Sequence, residues 1–97
     1  MSEEKFAPWD IVEFLTDDET IIEYLKAALE ENDPAFFMKA VGDVARAKGM
    51  TSVAEEARLG RASLYKALSG ERDPRISTVM KVLGSLDIQL AVARKAT

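Results

Sequence analysis

The residues best suited to chemistry lie close together, between Arg61 and Ser69. At about 100° per residue, Ala62, Tyr65, Lys66 and Ser69 share one side of a helix, with Arg61 and Ser63 on its flanks. Leu64, Ala67 and Leu68 fall on the opposite side at i, i+3 and i+4. The outer side contains no acid. An arginine at the start of such a helix suits a base edge, most of all guanine N7 and O6. Ser63 and Tyr65 suit phosphates or bases, and Lys66 suits phosphate. The free N–H groups of a helix N-terminus accept one phosphate more. Arg58, Arg72, Arg75 and Lys48 surround the stretch as candidate contacts to a nucleic-acid backbone. The plainer alternative is a helical hairpin whose basic face is merely solvated.

Other chemistries are poorly served. The chain has 97 residues and neither Cys nor His. Disulfides, thiol nucleophiles, imidazole bases and the usual zinc ligands are therefore excluded. No EF-hand loop and no glycine-rich phosphate cradle is present. We expect no enzyme and no cofactor. No run of 18 apolar residues occurs, and the polar start Met1-Ser2-Glu3-Glu4-Lys5 is unlike a signal peptide. The expectation is a cytoplasmic protein with no membrane partner.

The net charge of −4 conceals a split. Residues 1–33 hold 11 acids and 2 lysines, a net of −9, while residues 34–97 hold 6 acids and 11 basic residues, a net of +5. An acidic N-terminal arm, 1–33, joined to a basic domain, 34–97, implies two different partners. The alternative is that the acidic helices are simply solvated.

The elements that must position these residues are mostly helical. Pro8 to Leu15 reads as a short helix with proline in its first turn and Ile11, Phe14 and Leu15 on one face. Thr16-Asp17-Asp18-Glu19 has the form of a capping box. It opens a helix to about Glu31 with Ile21, Ile22, Leu25, Ala28 and Leu29 as its stripe and Tyr24 beside it. Asp33 and Pro34 suit the N-cap and first position of the next helix, 34–48, whose inner face is Phe37, Ala40, Val41, Val44 and Ala45. Gly49 closes it. Short helices are expected near 51–57, 61–69 and 77–86. Ser77 would cap the last, and Val79, Val82, Leu83 and Leu86 would be buried. Ile88 to Ala93 reads as a strand, which needs a pairing partner. The fold class is thus mainly α: five or six helices and one short C-terminal β-strand.

Residues 53–68 fit a helix-turn-helix, the device that presents a second helix to the major groove. Ala54 is small enough for two helices to cross closely, and Leu59 is placed to plug the corner.

The chain resembles the addiction-module antidote family of HigA-like antitoxins, which carry a phage-repressor type of helix-turn-helix. The resemblance runs from about Trp9 to Val92. It is carried by Trp9-Asp10, Glu23 to Glu30, Asp33-Pro34, Asp43 to Met50, Ser63 to Ser69 and Thr78 to Leu83. Arg58 stands where such turns often have Gly, and Gly60 where they often have Ser. The resemblance implies an antitoxin that silences a small basic toxin of the RelE/ParE-like superfamily and represses its own operon on double-stranded operator DNA. An acidic arm agrees with a cationic partner. Trp9, Asp10, Glu13, Asp17, Asp18 and Glu23 are the toxin-facing candidates, with Phe14 and Tyr24 as further aromatics; the alternative, and the stronger expectation, is that at least two of Trp9, Phe14 and Tyr24 belong to the chain's own core. A homodimer is expected, reading half-sites about one helical turn apart. Two readings compete: a stand-alone phage-type repressor without a toxin, and a protein-interaction adaptor whose basic half is a docking face.

Overall fold

The computed structural model describes residues 8–70 and 73–95, with side chains from Ile11 onward. Among these residues the chain forms six helices: α1 (Pro8–Phe14), α2 (Asp18–Glu30), α3 (Pro34–Lys48), α4 (Met50–Ala57), α5 (Arg61–Leu68) and α6 (Ile76–Ser85).

Helix α3 is the hub. Met38, Ala40, Val41, Gly42, Val44 and Ala45 are all buried, so its apolar surface is wider than one stripe. It packs against α1, α2, α4 and α5, while α6 closes on α4. Val41, Val53, Leu64, Val82 and Leu83 are almost wholly inaccessible, and each stabilises the fold by about 1.5–3 kcal/mol. Leu15, Leu25 and Ala28 bring α1 and α2 into this same core.

The α2–α3 boundary follows local chemistry. Asn32 takes the left-handed conformation (φ 59°) that asparagine tolerates. Asp33 then caps α3, its carboxylate accepting from Ala35 N–H at 3.1 Å and Phe36 N–H at 3.4 Å, with Pro34 in the first turn. Gly49, at φ 116°, ends α3 and starts α4, a backbone turn closed to most other residues.

Several expectations need correction. Asp17, not Thr16, caps α2: its carboxylate accepts from Thr20 N–H at 3.2 Å and the Thr20 hydroxyl at 2.7 Å. Thr16 is used earlier, in a tight turn in which its N–H bonds to Phe14 carbonyl at 2.9 Å. Arg75, not Ser77, precedes α6, and no side chain caps that helix. Its carbonyl accepts from Thr78 and Val79 N–H, so the helix starts directly after Pro74-Arg75 and leaves Ser77 inside it. On α2 the buried stripe is narrower than the apolar pattern, since Ile22 and Leu29 are exposed.

The strand expected at 88–93 does not form. Residues 88–95 are neither helix nor strand. Ile88 N–H bonds to Leu83 carbonyl at 2.9 Å, and beyond it no backbone hydrogen bond links residues 89–95 to the other described residues. The physical reason is plain: a ladder needs a second strand, and none exists among the described residues.

Candidate nucleic-acid interface

Two eight-residue helices, α4 and α5, are joined by residues 58–60. The corner is a left-handed turn at Arg58 (φ 59°, ψ 46°), after which Leu59 N–H bonds back to Ala54 carbonyl at 2.9 Å. Leu59 packs against the core and Ala54 is buried where the helices meet. Helix α5 stands on Leu64, Ala67 and Leu68, all buried as the spacing requires. Leu68 lies on Gly42 of α3, where an added Cβ would come within 3.4 Å of Leu68 Cβ. The close approach fixes α5 against the hub.

The outer side of α5 is open. Arg61, Ala62, Ser63, Tyr65 and Lys66 are exposed, and no acid occurs in the helix. The Arg61 guanidinium carbon lies 5.9 Å from the centre of the Tyr65 ring, one turn along, in cation–π geometry. Gly60 precedes the helix without a side-chain cap, so the first-turn N–H groups keep their capacity for an anion. Ser69 is half-buried, and its hydroxyl donates to Lys66 carbonyl at 2.9 Å, closing the helix end. Arg58 and Arg75 are exposed on either side. Arg72 falls outside the described residues.

Lys48 is not free for a phosphate. Its Nζ donates to the Ser85 carbonyl and pairs with Glu56 at 3.3 Å, tying the end of α3 to α4 and α6. Its place at a helix terminus, read from sequence, gave no sign of this partner 37 residues away.

The acidic candidates lie elsewhere on the molecule. Glu13, Asp18 and Glu23 are exposed, and Glu23 forms a loose i,i+3 pair with Lys26 at 3.8 Å. Asp17 is exposed and engaged as a cap. The Thr20 hydroxyl, then the Thr20 N–H, holds its carboxyl below the ordinary range. Trp9 and Asp10 lie on α1, with side chains outside those described.

A polar cluster was not foreseen. The Tyr24 hydroxyl donates to Asp43 Oδ2 at 2.5 Å, and the Arg46 guanidinium donates to Asp43 Oδ1. Burial first, then the Asp43 bond, pushes the Tyr24 phenol well above its usual range, so it remains a neutral donor. Asp43 and Arg46 stand at i,i+3 on one helix, a spacing that signals a pair. Tyr24 comes from another helix, and only the packing of α2 on α3 brings it there.

Among the described residues no group of acids is arranged to hold a metal ion. No helix there is long and apolar enough to cross a membrane.

Residues 5–94 match a protein family described as "Probable addiction module antidote protein". A Haemophilus influenzae (strain Rd) protein described as "Uncharacterized protein" is 42% identical over 89 residues, covering 92% of each chain. No solved structure matches significantly.

Proposed function

Because the chain belongs to the family of probable addiction module antidote proteins, we propose that it is a HigA-like antitoxin that neutralises a small basic RelE/ParE-like toxin. It also represses its own operon, with α4 and α5 acting as a phage-repressor type of helix-turn-helix. The single observation that carries the DNA half is the outer side of α5. Arg61, Ser63, Tyr65 and Lys66 stand exposed with no acid among them, while Leu64, Ala67 and Leu68 hold the helix to the core.

In this reading α5 enters the major groove of operator DNA. Arg61, steadied over Tyr65, reads a base edge. Lys66 and Ser63 contact phosphates, with Arg58, Arg75 and Arg72 reaching the backbone outside the groove. Ala62 and Ser69 border the contact. The chain acts as a homodimer, since a two-fold protein places two such helices on a near-palindromic site. The acidic first 33 residues, through Glu13, Asp17, Asp18 and Glu23 with Trp9 and Asp10, meet the cationic toxin. The protein has no enzymatic role and works in the cytoplasm.

The test is binding to its own promoter, followed by fluorescence anisotropy, together with co-purification with the product of the adjacent open reading frame. Arg61→Ala is expected to cost about 1–3 kcal/mol and relax base preference, and Lys66→Ala to weaken all sequences about equally. Operator affinity unchanged by both variants would refute the assigned face.

A further inference from the structure

Two cations on α3, Lys39 and Arg46, stand beside α5 and take no part in the DNA contact proposed above. An added Cβ at Gly42 would lie 3.7 Å from Arg46 Nη1 as well as 3.4 Å from Leu68 Cβ, so the guanidinium reaches back over the seam between α3 and α5. The chain leaving α5 passes over the other cation. At Gly70 an added Cβ would meet Lys39 Cγ and Cε at 3.4 Å and the Ala35 carbonyl at 3.1 Å. With Leu68 on Gly42 and Gly70 on Lys39, the two helices run in opposite directions, and the cations bracket their contact. Seven residues separate them, about 10 Å along the axis of α3.

Both line one cleft of about 470 Å³, with Tyr24, Phe36, Asp43 and Leu68 among its walls. Lys39 is exposed and forms no ion pair with a described residue. The Arg46 side chain is 44% exposed, whereas that of Asp43 is only 17% exposed. Asp43 is the one acid among the described residues lining the cleft, and both its oxygens are engaged, Oδ2 by the Tyr24 hydroxyl and Oδ1 by Arg46. A guanidinium has five N–H donors in a fixed fork, so this pair leaves donors to spare. Asp43 therefore holds Arg46 in place without closing it to an anion.

We propose that Lys39 and Arg46 form a second seat for DNA, gripping the phosphodiester backbone that borders the groove entered by α5, with Asp43 and Tyr24 as positioning residues for Arg46. The seat rests on the DNA-binding reading above and extends it from α5 to α3. Charge and place select duplex DNA as the occupant. A helix lying in a major groove about 12 Å wide has a sugar–phosphate strand along each flank. An element packed on the flank of α5 meets that strand, and α3 does so with two exposed cations and with Asp43 already engaged. Contacts of this kind fix register and orientation and carry no base preference.

The full-length chain is titrated against a fluorescein-labelled duplex of its own promoter and against an unrelated duplex of equal length, over a range of salt concentrations. Lys39→Gln and Arg46→Gln should each bind both duplexes about three- to tenfold less tightly, with a salt dependence shallower by about one ion, and the double variant by about two. Arg46→Lys keeps the charge and should restore the slope. Tyr24→Phe removes no charge. It should weaken both duplexes about two- to threefold at unchanged slope and do nothing further when Arg46 is already Gln, a coupling that a merely structural tyrosine lacks. Lys39 has no ion-pair partner among the described residues, so its variant reads binding alone even where Arg46→Gln loosens the packing of α2.

Unchanged affinity and slope in Lys39→Gln and Arg46→Gln, with Arg61→Ala still weakening the promoter, overturns the second seat and leaves the α5 reading standing. Loss on the promoter alone assigns base readout to these residues and also overturns it. So does weakened binding to a labelled single-stranded RNA with both duplexes untouched, which gives the cleft to RNA. A chain that binds neither duplex refutes this seat and the repressor reading together. Loss in the cleft variants with Arg61→Ala and Lys66→Ala silent supports the seat and refutes the assigned face of α5.

Discussion

Replacing Arg58 with glycine should stabilise the protein while weakening the proposed contact with operator DNA, two effects of opposite sign from one residue. Arg58 sits at φ 59°, ψ 46°. For a residue with a Cβ this conformation costs about 1–2 kcal/mol. Its N–H bonds to the Ala54 and Glu55 carbonyls are backbone bonds, which glycine keeps. The side chain is exposed, so little packing is lost. Against the relief stands the greater freedom of glycine in the unfolded chain, about 0.5–1 kcal/mol. The net expectation is a gain of about 0.5–1 kcal/mol, or roughly 2–8 °C in Tm for a domain of this size. Arg58→Ala removes the same charge without relieving the backbone. The difference between the two variants in thermal or urea unfolding therefore isolates the turn, and Arg58→Gly should exceed Arg58→Ala by about 1 kcal/mol. Promoter binding supplies the second readout. Both variants lose one cation, so both should bind less tightly and show a salt dependence shallower by about one ion. If Arg58→Gly unfolds at a lower temperature than Arg58→Ala, the strain argument is wrong. If salt dependence is unchanged, Arg58 is no phosphate contact.

Gly60→Ser adds a side-chain cap to α5, and its Cβ meets nothing within 4 Å. With negative φ at this position, the change should stabilise by about 0.5–1 kcal/mol, measured as a rise in urea midpoint at constant m. Leu64→Ala empties the buried side of α5 and should cost about 2–5 kcal/mol, with loss of promoter binding that returns when the variant is cooled or otherwise kept folded. Asp17 has its native pKa below the unfolded value. Its contribution is present above the usual carboxylate pKa and is lost as pH falls through the lowered native one. Asp17→Asn keeps a capping acceptor and should flatten the acid side of the Tm–pH curve while leaving neutral-pH Tm nearly unchanged.

The helices were legible where the signal is local. Asp33-Pro34 fixed the start of α3, Gly49 its end, and the i, i+3, i+4 spacing of Leu64, Ala67 and Leu68 separated the two sides of α5. Caps slipped where two acceptors stood side by side. Thr16 and Asp17 both suit an N-cap, and the choice depends on a turn at Phe14 that no propensity encodes. The apolar pattern of α2 placed Ile22 and Leu29 in the stripe, but which apolar residues are covered depends on the width of α3 beneath. Lys48 and Tyr24 were misplaced or missed for one reason: their partners, Ser85 and Asp43, are far along the chain. The segment 88–93 has strand composition, and composition cannot supply the neighbour that a ladder requires.

The acidic and basic parts of the chain are not structurally separate. Leu15, Leu25 and Ala28 of the acidic half enter the same core as Val41, Val44 and Leu64 of the basic half. The seam is also pinned by Tyr24 reaching across to Asp43, which Arg46 holds from the other side. Helix α3 thus touches the acidic elements on one side and α5 on another, through the Gly42–Leu68 contact. A domain of this size buries too little surface to fold as two independent halves. Removing the first 33 residues would strip Leu15, Leu25 and Ala28 from the core as well as nine net negative charges. Toxin binding by the acidic face is therefore better tested by reversing the exposed charges Glu13, Asp18 and Glu23 in the intact chain. Those reversals should leave Tm within a few degrees and reduce toxin capture, whereas a truncation would confuse loss of a contact with loss of the fold.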